Sequence, residues 1–383
     1  MQIKSAWLKK QTGTKNLLKV FPGIALAVFV TILASSFHDL SEHLFPFVKS
    51  NPISTVTIAI VFGMIIRNIF LMPDIFQYGI KFCLVQVLRL GIVLLGIRLS
   101  ILAAMKIGIM AFGIVLACIG TAVLVAGFLA KKMHLGVRLG ALIAVGTSIC
   151  GVTAIVATGP LINAEEEKVS YAVSTITIFG TLAMFIYPYV IPFLTGFDTV
   201  LSGIFLGTAV HDTSQVASAG LIYDSLWNHG SGITATDTAI VTKLVRNTMM
   251  IWVIPVIGYL TVKKLQGRDG TQDYKFKRFA VPGFVLGFLA MVLVRTVGDY
   301  LIIDKQMLAF IPWEWVVTNV KSAATNLLLL AVAGIGLNTD LRKLTRLGPK
   351  PFFVGLATML TVGAVSFFLI WTVHHFVGTA ALT

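Results

Sequence analysis

Charge is what this sequence has least of. Asp, Glu, Lys and Arg make up only 12% of its 383 residues, against about a quarter in soluble domains. A chain so poor in charge cannot coat itself for water, so most of its surface must face something apolar. Acidic residues are scarcest, 16 against 30 Lys and Arg, which leaves a net charge of +14. That excess forms no single patch, and a nucleic-acid partner is therefore not expected. Lys and Arg cluster between apolar segments, where the positive-inside rule puts them. Cysteine is limited to Cys83, Cys118 and Cys150. All three lie in apolar stretches without metal-ligand spacing, so they read as small buried residues, and neither a metal nor a cofactor is expected. The ten-residue alternation of an outer-membrane barrel is missing. So is a P-loop, which excludes a built-in ATP motor.

Long apolar runs are what the sequence does have. Hydrophobic residues make up 57% and the mean hydropathy is +0.90. Runs long enough for a ~30 Å hydrocarbon core recur from end to end. Length and flanks place spans near 21–37, 51–70, 78–98, 107–130, 137–162, 169–194, 199–222, 236–262, 279–297, 316–337 and 351–376. The first, behind Lys4, Lys9, Lys10, Lys15 and Lys19, also has the form of a signal peptide; an uncleaved span is the preferred reading. With eleven spans, a cytoplasmic N-terminus and a C-terminus outside, every strongly basic loop falls on one side. Those loops hold Lys131, Lys132 and Arg138, then Lys263 to Arg278, then Arg342 to Lys350. Trp313 and Trp315 read as an outer interfacial anchor.

The expected fold is thus an all-α polytopic membrane protein. Residues 1–50 form a cytoplasmic terminus and an extra helix. Residues 51–194 and 195–383 form two five-helix units of opposite orientation, the parity of an inverted repeat, common in secondary transporters.

Three polar, glycine-containing stretches interrupt the apolar spans: Gly146 to Thr153, Gly207 to Gln215, and Gly334 to Thr339. Glycine beside hydroxyl residues lets a helix unwind cheaply. Lipid offers the freed backbone groups no partner, so they need polar company. Gly146, Gly151, Gly207, Gly334 and Gly336 are accordingly expected at helix breaks, although small residues also serve plain helix packing. Half-helix N-termini at mid-membrane suit an anion. Around them, Thr147, Ser148, Thr208, His211, Gln215, Lys243 and Arg246 are the expected substrate-binding residues. Lys243 and Arg246 share one helix face, with Asn247 beside them. They either balance an anion or pair structurally, most simply with Asp212 or Asp237. His211 and Asp212 are candidates for proton or ion coupling.

Gly146-Thr147-Ser148-Ile149-Cys150-Gly151, Ala164-Glu165-Glu166-Glu167, Gly207-Thr208-Ala209-Val210-His211-Asp212 with Gln215-Val216, and Lys243-Leu244-Val245-Arg246-Asn247 resemble the YeiH-type sulfate exporter family of bacterial multi-pass inner-membrane proteins. The resemblance covers most of the chain. It implies a bacterial inner-membrane transporter with crossed, broken helices, similar in fold to the bile-acid symporter and sodium/proton antiporter group. Sulfate, sulfite, a sulfonate and a carboxylate all stay open as substrates. A coupling proton or sodium ion and a homodimer stay open too. The leading expectation is a secondary transporter of a small anion working by alternating access, with the bilayer as its other partner. A passive anion channel is the alternative. An intramembrane hydrolase is disfavoured: Ser148 lacks a following glycine, and Gly334-Ile335-Gly336 runs into Leu337 where an aspartyl type needs aspartate.

Overall fold

The computed structural model describes residues 14–44, 54–70, 72–196, 198–227, 232–269, 282–304, 312–340 and 349–377. Among them there is no strand. In chain order the helices are α1 (Thr14–Leu44), α2 (Thr55–Ile69), α3 (Asp74–Arg98) and α4 (Ile101–Lys132). Next come α5 (Val137–Ser148), α6 (Val152–Thr158), α7 (Glu166–Thr195), α8 (Thr199–Ala209) and α9 (Thr213–Trp227). The last are α10 (Ala235–Thr248), α11 (Met250–Asp269), α12 (Gly283–Gly298), α13 (Trp313–Asn338) and α14 (Pro349–Val377).

Among the described residues, each of the eleven expected spans is mainly helical. Seven helices among the described residues are individually long and apolar enough to cross a membrane. An eighth span qualifies as the pair α10 and α11, which bends by 43°. The other three segments are short or interrupted: α2, the pair α5 and α6, and the pair α8 and α9.

The chain forms two compact units, and the division falls inside α3 and inside α13. Unit 1 comprises residues 1–92 and 322–342, so it draws on both expected repeats. Small residues hold it together. Gly23 of α1 and Gly79 of α3 meet backbone to backbone, and a methyl group added at Gly79 would lie 2.5 Å from the Gly23 Cα. Gly63 of α2 and Gly336 of α13 do the same. Apolar burial drives little association within lipid, so close backbone approach is the available glue. The end of α13 is tied by Asn68 Nδ2, which donates to the Thr339 carbonyl at 3.0 Å. Arg67 and Asp340 pair there at 3.7 Å.

Unit 2 comprises residues 93–321 and 343–383. Leu142, Ile143 and Ile155 of α5 and α6 pack with Ala126 of α4, Ile176 of α7 and Val354 of α14. On the other side Val145, Ile149 and Ala154 pack with Met250, Ile254 and Ile257 of α11. Trp313 departs from its expected role as an interfacial anchor. It is 9% exposed, and its indole N–H donates to Asp299 Oδ1 at 2.8 Å. Trp315 alone of the pair is exposed. A tryptophan whose N–H finds a partner inside has no reason to seek the headgroups. Cys83, Cys118 and Cys150 are all free and buried.

Candidate functional site

The site is built from two interrupted helices of unit 2. The first interruption is Ile149 to Gly151, between α5 and α6. Gly151 sits at φ 63°, ψ −118°, a conformation that residues with a Cβ avoid. The second is Val210 to Asp212, between α8 and α9, where Val210 is extended. The two interruptions touch: a methyl at Gly151 would lie 3.4 Å from Asp212 Oδ2. Each interruption leaves a half-helix C-terminus whose last carbonyls lack intrahelical partners.

Those carbonyls are met from α10. Lys243 and Arg246 are both fully buried. Lys243 Nζ donates to Ile149 O at 2.9 Å, Val210 O at 3.0 Å and His211 O at 2.6 Å. Arg246 Nε donates to Ser148 O at 2.9 Å. Its Nη1 reaches Thr208 O at 2.9 Å and Val210 O at 3.1 Å, and Nη2 donates to Thr147 O. The spacing of three residues puts both cations on one face of α10, and that face meets both half-helix ends at once. Cations suit the negative ends of helix dipoles, and ionisable groups inside membranes pair with backbone carbonyls in this way. Close packing sets the reach. Gly203 and Gly207 of α8 lie against Thr238 and Thr242 of α10, and a methyl at Gly207 would come within 2.6 Å of the Thr242 Cβ. A Thr234–Asp237 capping box starts α10, and Asp237 also pairs with Arg98 at 3.2 Å.

This geometry corrects several expectations. Lys243 has three protons, and three carbonyls take them. Its partners are main-chain groups, not Asp212 or Asp237. The hydroxyls of Thr147 and Ser148 turn back onto their own helix, to Ile143 O at 2.9 Å and Val145 O at 3.1 Å. Thr208 does likewise, to Ile204 O at 2.8 Å, and meets Ser366 Oγ of α14 at 2.6 Å. Gln215 Nε2 docks α9 onto α7 through Thr177 O at 3.0 Å and Thr181 Oγ1 at 3.2 Å. Thr147, Ser148 and Thr208 thus serve the crossing through their carbonyls. Only Gly151, of the five glycines expected at breaks, lies in one. Gly146 and Gly207 are inside α5 and α8. Gly334 and Gly336 are inside an uninterrupted α13, where their smallness admits α3 and α2 of unit 1.

His211 lies in the second interruption. It is fully buried beside the two cations, and neither ring nitrogen has a hydrogen-bond partner. Asp212 caps α9: its Oδ1 accepts from Ser214 N at 2.9 Å and Ser214 Oγ at 2.6 Å. Asn247, Thr213, Thr242 and Thr153 join the site beside the expected binding residues. Asn247 Nδ2 donates to Thr213 Oγ1 at 3.2 Å, while Asn247 Oδ1 and the Thr242 hydroxyl are buried without partners. Thr153, in the first turn of α6, is exposed. The sequence signal for Thr153 and Thr213 was their place just after a break, at a half-helix N-terminus. Among the described residues, no cluster of three or more His, Cys, Asp or Glu could hold a metal ion.

Charge at the crossing does not balance. Among the described residues, two buried cations face one nearby carboxylate, Asp212. The four half-helix ends, at about half a charge each and of both signs, cancel, which leaves an excess of about one positive charge.

Comparison with known proteins places the chain. A family model described as "Conserved hypothetical protein 698" matches residues 22–355. The chain is 31% identical over 355 residues to the UPF0324 inner membrane protein YeiH of Salmonella typhimurium, which covers 91% of this chain and 93% of that one. YeiH of Escherichia coli (strain K12) is also 31% identical, covering 91% and 92%. The UPF0324 membrane protein FN0533 of Fusobacterium nucleatum is 31% identical, covering 84% and 90%. No solved structure matches. With an all-helical membrane fold and a match running nearly end to end, the chain belongs to the UPF0324 family of membrane proteins.

Proposed function

We propose that the protein is a secondary transporter of a small anion, not an enzyme, with its site at the crossing of the α5/α6 and α8/α9 interruptions. The observation that carries this reading is the pair of fully buried cations, Lys243 and Arg246, at two abutting helix breaks with one carboxylate beside them. A protein needing only a stable bundle has no use for that arrangement, because each ion costs several kcal/mol to desolvate. In this reading the cations hold the half-helix ends in place and supply the field. The anion itself meets the unpartnered ring N–H of His211, the Thr213 hydroxyl, which accepts from Asn247 and still has its proton to donate, and the first turn of α6. A hydrogen-bonding oxyanion such as sulfate or sulfite, or a sulfonate, suits such a donor set. Discontinuous helices crossing near the membrane centre are the usual build for alternating access. An anion leaving a cell with a negative interior gains about 2.3 kcal/mol per charge per 100 mV, so export needs no coupling ion.

The test is a thermal-shift panel on purified protein with sulfate, sulfite, thiosulfate, taurine and dicarboxylates, followed by flux into proteoliposomes. Stabilisation by at least one anion and saturable flux are expected. If no anion stabilises the protein, the anion site is wrong. Unitary currents in planar bilayers would instead make it a channel.

A further inference from the structure

A groove of about 680 Å³ opens on unit 2 between α4, α5 and α11. That volume is in the range of sites that take drug-sized ligands. Its wall is small and apolar, with Gly127, Ala141, Ala144 and Ile257. Leu260, a large exposed apolar side chain, also lines it. One end of the groove is basic. Lys131 comes from the last turn of α4, His134 from the turn that follows, and Lys264 from α11. Among the described residues, no carboxylate lines the groove and neither lysine takes part in an ion pair. The two lysines come from basic stretches more than a hundred residues apart, and the fold gathers them at one mouth.

We propose that this groove binds one anionic phospholipid, with the phosphate at Lys131, His134 and Lys264 and an acyl chain along the Gly127 wall. The apolar wall excludes a small hydrophilic anion as occupant, because it offers no hydrogen bonds to replace those with water. The charged mouth distinguishes an anionic lipid from a zwitterionic one, by about fivefold per lysine. Gly127 makes the site testable without breaking the fold. A Cβ built there meets no atom within 4 Å, so a larger residue extends into the groove that Gly127 lines. The inference is independent of the transport reading.

The experiment titrates purified, delipidated full-length protein with phosphatidylglycerol or phosphatidylcholine in detergent and reads lipid adducts by native mass spectrometry. Wild type should bind phosphatidylglycerol roughly twentyfold more tightly than phosphatidylcholine. The double variant Lys131→Gln/Lys264→Gln should lose that preference, and Gly127→Leu should weaken both lipids. Lys106→Gln, at the opposite end of α4, should change neither. Equal binding of the two lipids by wild type would overturn the proposal. So would unchanged phosphatidylglycerol binding in Gly127→Leu, which would mean surface attraction without a groove. Both lysines are exposed, so their variant folds and decides the case alone if Gly127→Leu does not.

Discussion

The stretch ending α13 and the two stretches at the crossing have nearly the same composition, glycine with hydroxyl or amide residues in an apolar span. They fold differently. Gly334 and Gly336 stay helical, and a methyl at Gly336 would lie 2.3 Å from the Ile60 carbonyl oxygen of α2. Gly151 leaves the helix altogether. What separates the regions is the source of hydrogen bonds. At the end of α13 a neutral amide, Asn68, reaches one carbonyl. At the crossing two cations reach the last carbonyls of two half-helices. Glycine permits a break inside a membrane, but a buried donor set decides whether the break forms, because lipid satisfies nothing.

The hardest way to break that comparison is to remove the donors. Arg246→Met leaves the carbonyls of Ser148, Thr147 and Thr208 without their donor. At about 1–3 kcal/mol for each buried group left unpaired, the loss should reach roughly 5 kcal/mol. Little folded protein should survive extraction, and Arg246→Lys should recover part of the yield. The matching change in unit 1, Arg67→Met, removes an ion pair of 3.7 Å that is about one-fifth exposed on each side. It should cost no more than about 1 kcal/mol. Melting curves in detergent would decide. Similar curves for Arg246→Met and Arg67→Met would mean that the half-helix ends are satisfied some other way.

A gentler contrast sets the glycines against each other. Gly151→Ala forces a Cβ into a backbone conformation that costs about 1–3 kcal/mol. Gly336→Ala keeps a helical backbone but drives a methyl into the Ile60 carbonyl, an overpacking cost of about 1–3 kcal/mol. Gly334→Ala meets nothing nearer than Cys83 Cβ at 3.2 Å and should cost under about 1 kcal/mol. The separating measurement is hydrogen exchange around residues 149–151. Gly151→Ala should accelerate it, and Gly336→Ala should leave it alone. Acceleration by both would erase the distinction between a break glycine and a packing glycine.

Local rules made much of this readable in the sequence. Span positions follow from apolar length, and two of the three polar stretches do interrupt helices. The turning back of the Thr147 and Thr208 hydroxyls onto carbonyls four residues earlier is also local chemistry, which membrane serines and threonines commonly use. The rest depended on partners far away in the chain. Arg246 bonds residues 98 and 99 positions earlier, and Gly336 packs on residues more than 270 positions away. No window of sequence holds those pairs. A buried lysine and arginine therefore read equally well as ligands for a substrate or as ligands for the main chain.

His211 gives the smallest effect on stability and the sharpest one on mechanism. Its ring nitrogens make no hydrogen bond, so His211→Asn removes none. The fold should lose about 1 kcal/mol or less, as for a modest change of buried volume. Asp212→Asn keeps an oxygen that can accept from Ser214 and so keeps a cap on α9. If the half-buried end of the crossing couples transport to a proton, the two variants should flatten the pH dependence of flux while melting close to wild type. Flux in proteoliposomes between about pH 5 and 8 reads this directly. A pH profile unchanged in both variants would leave His211 as a substrate contact only, and the crossing would then work as a fixed positive site with no titrating partner.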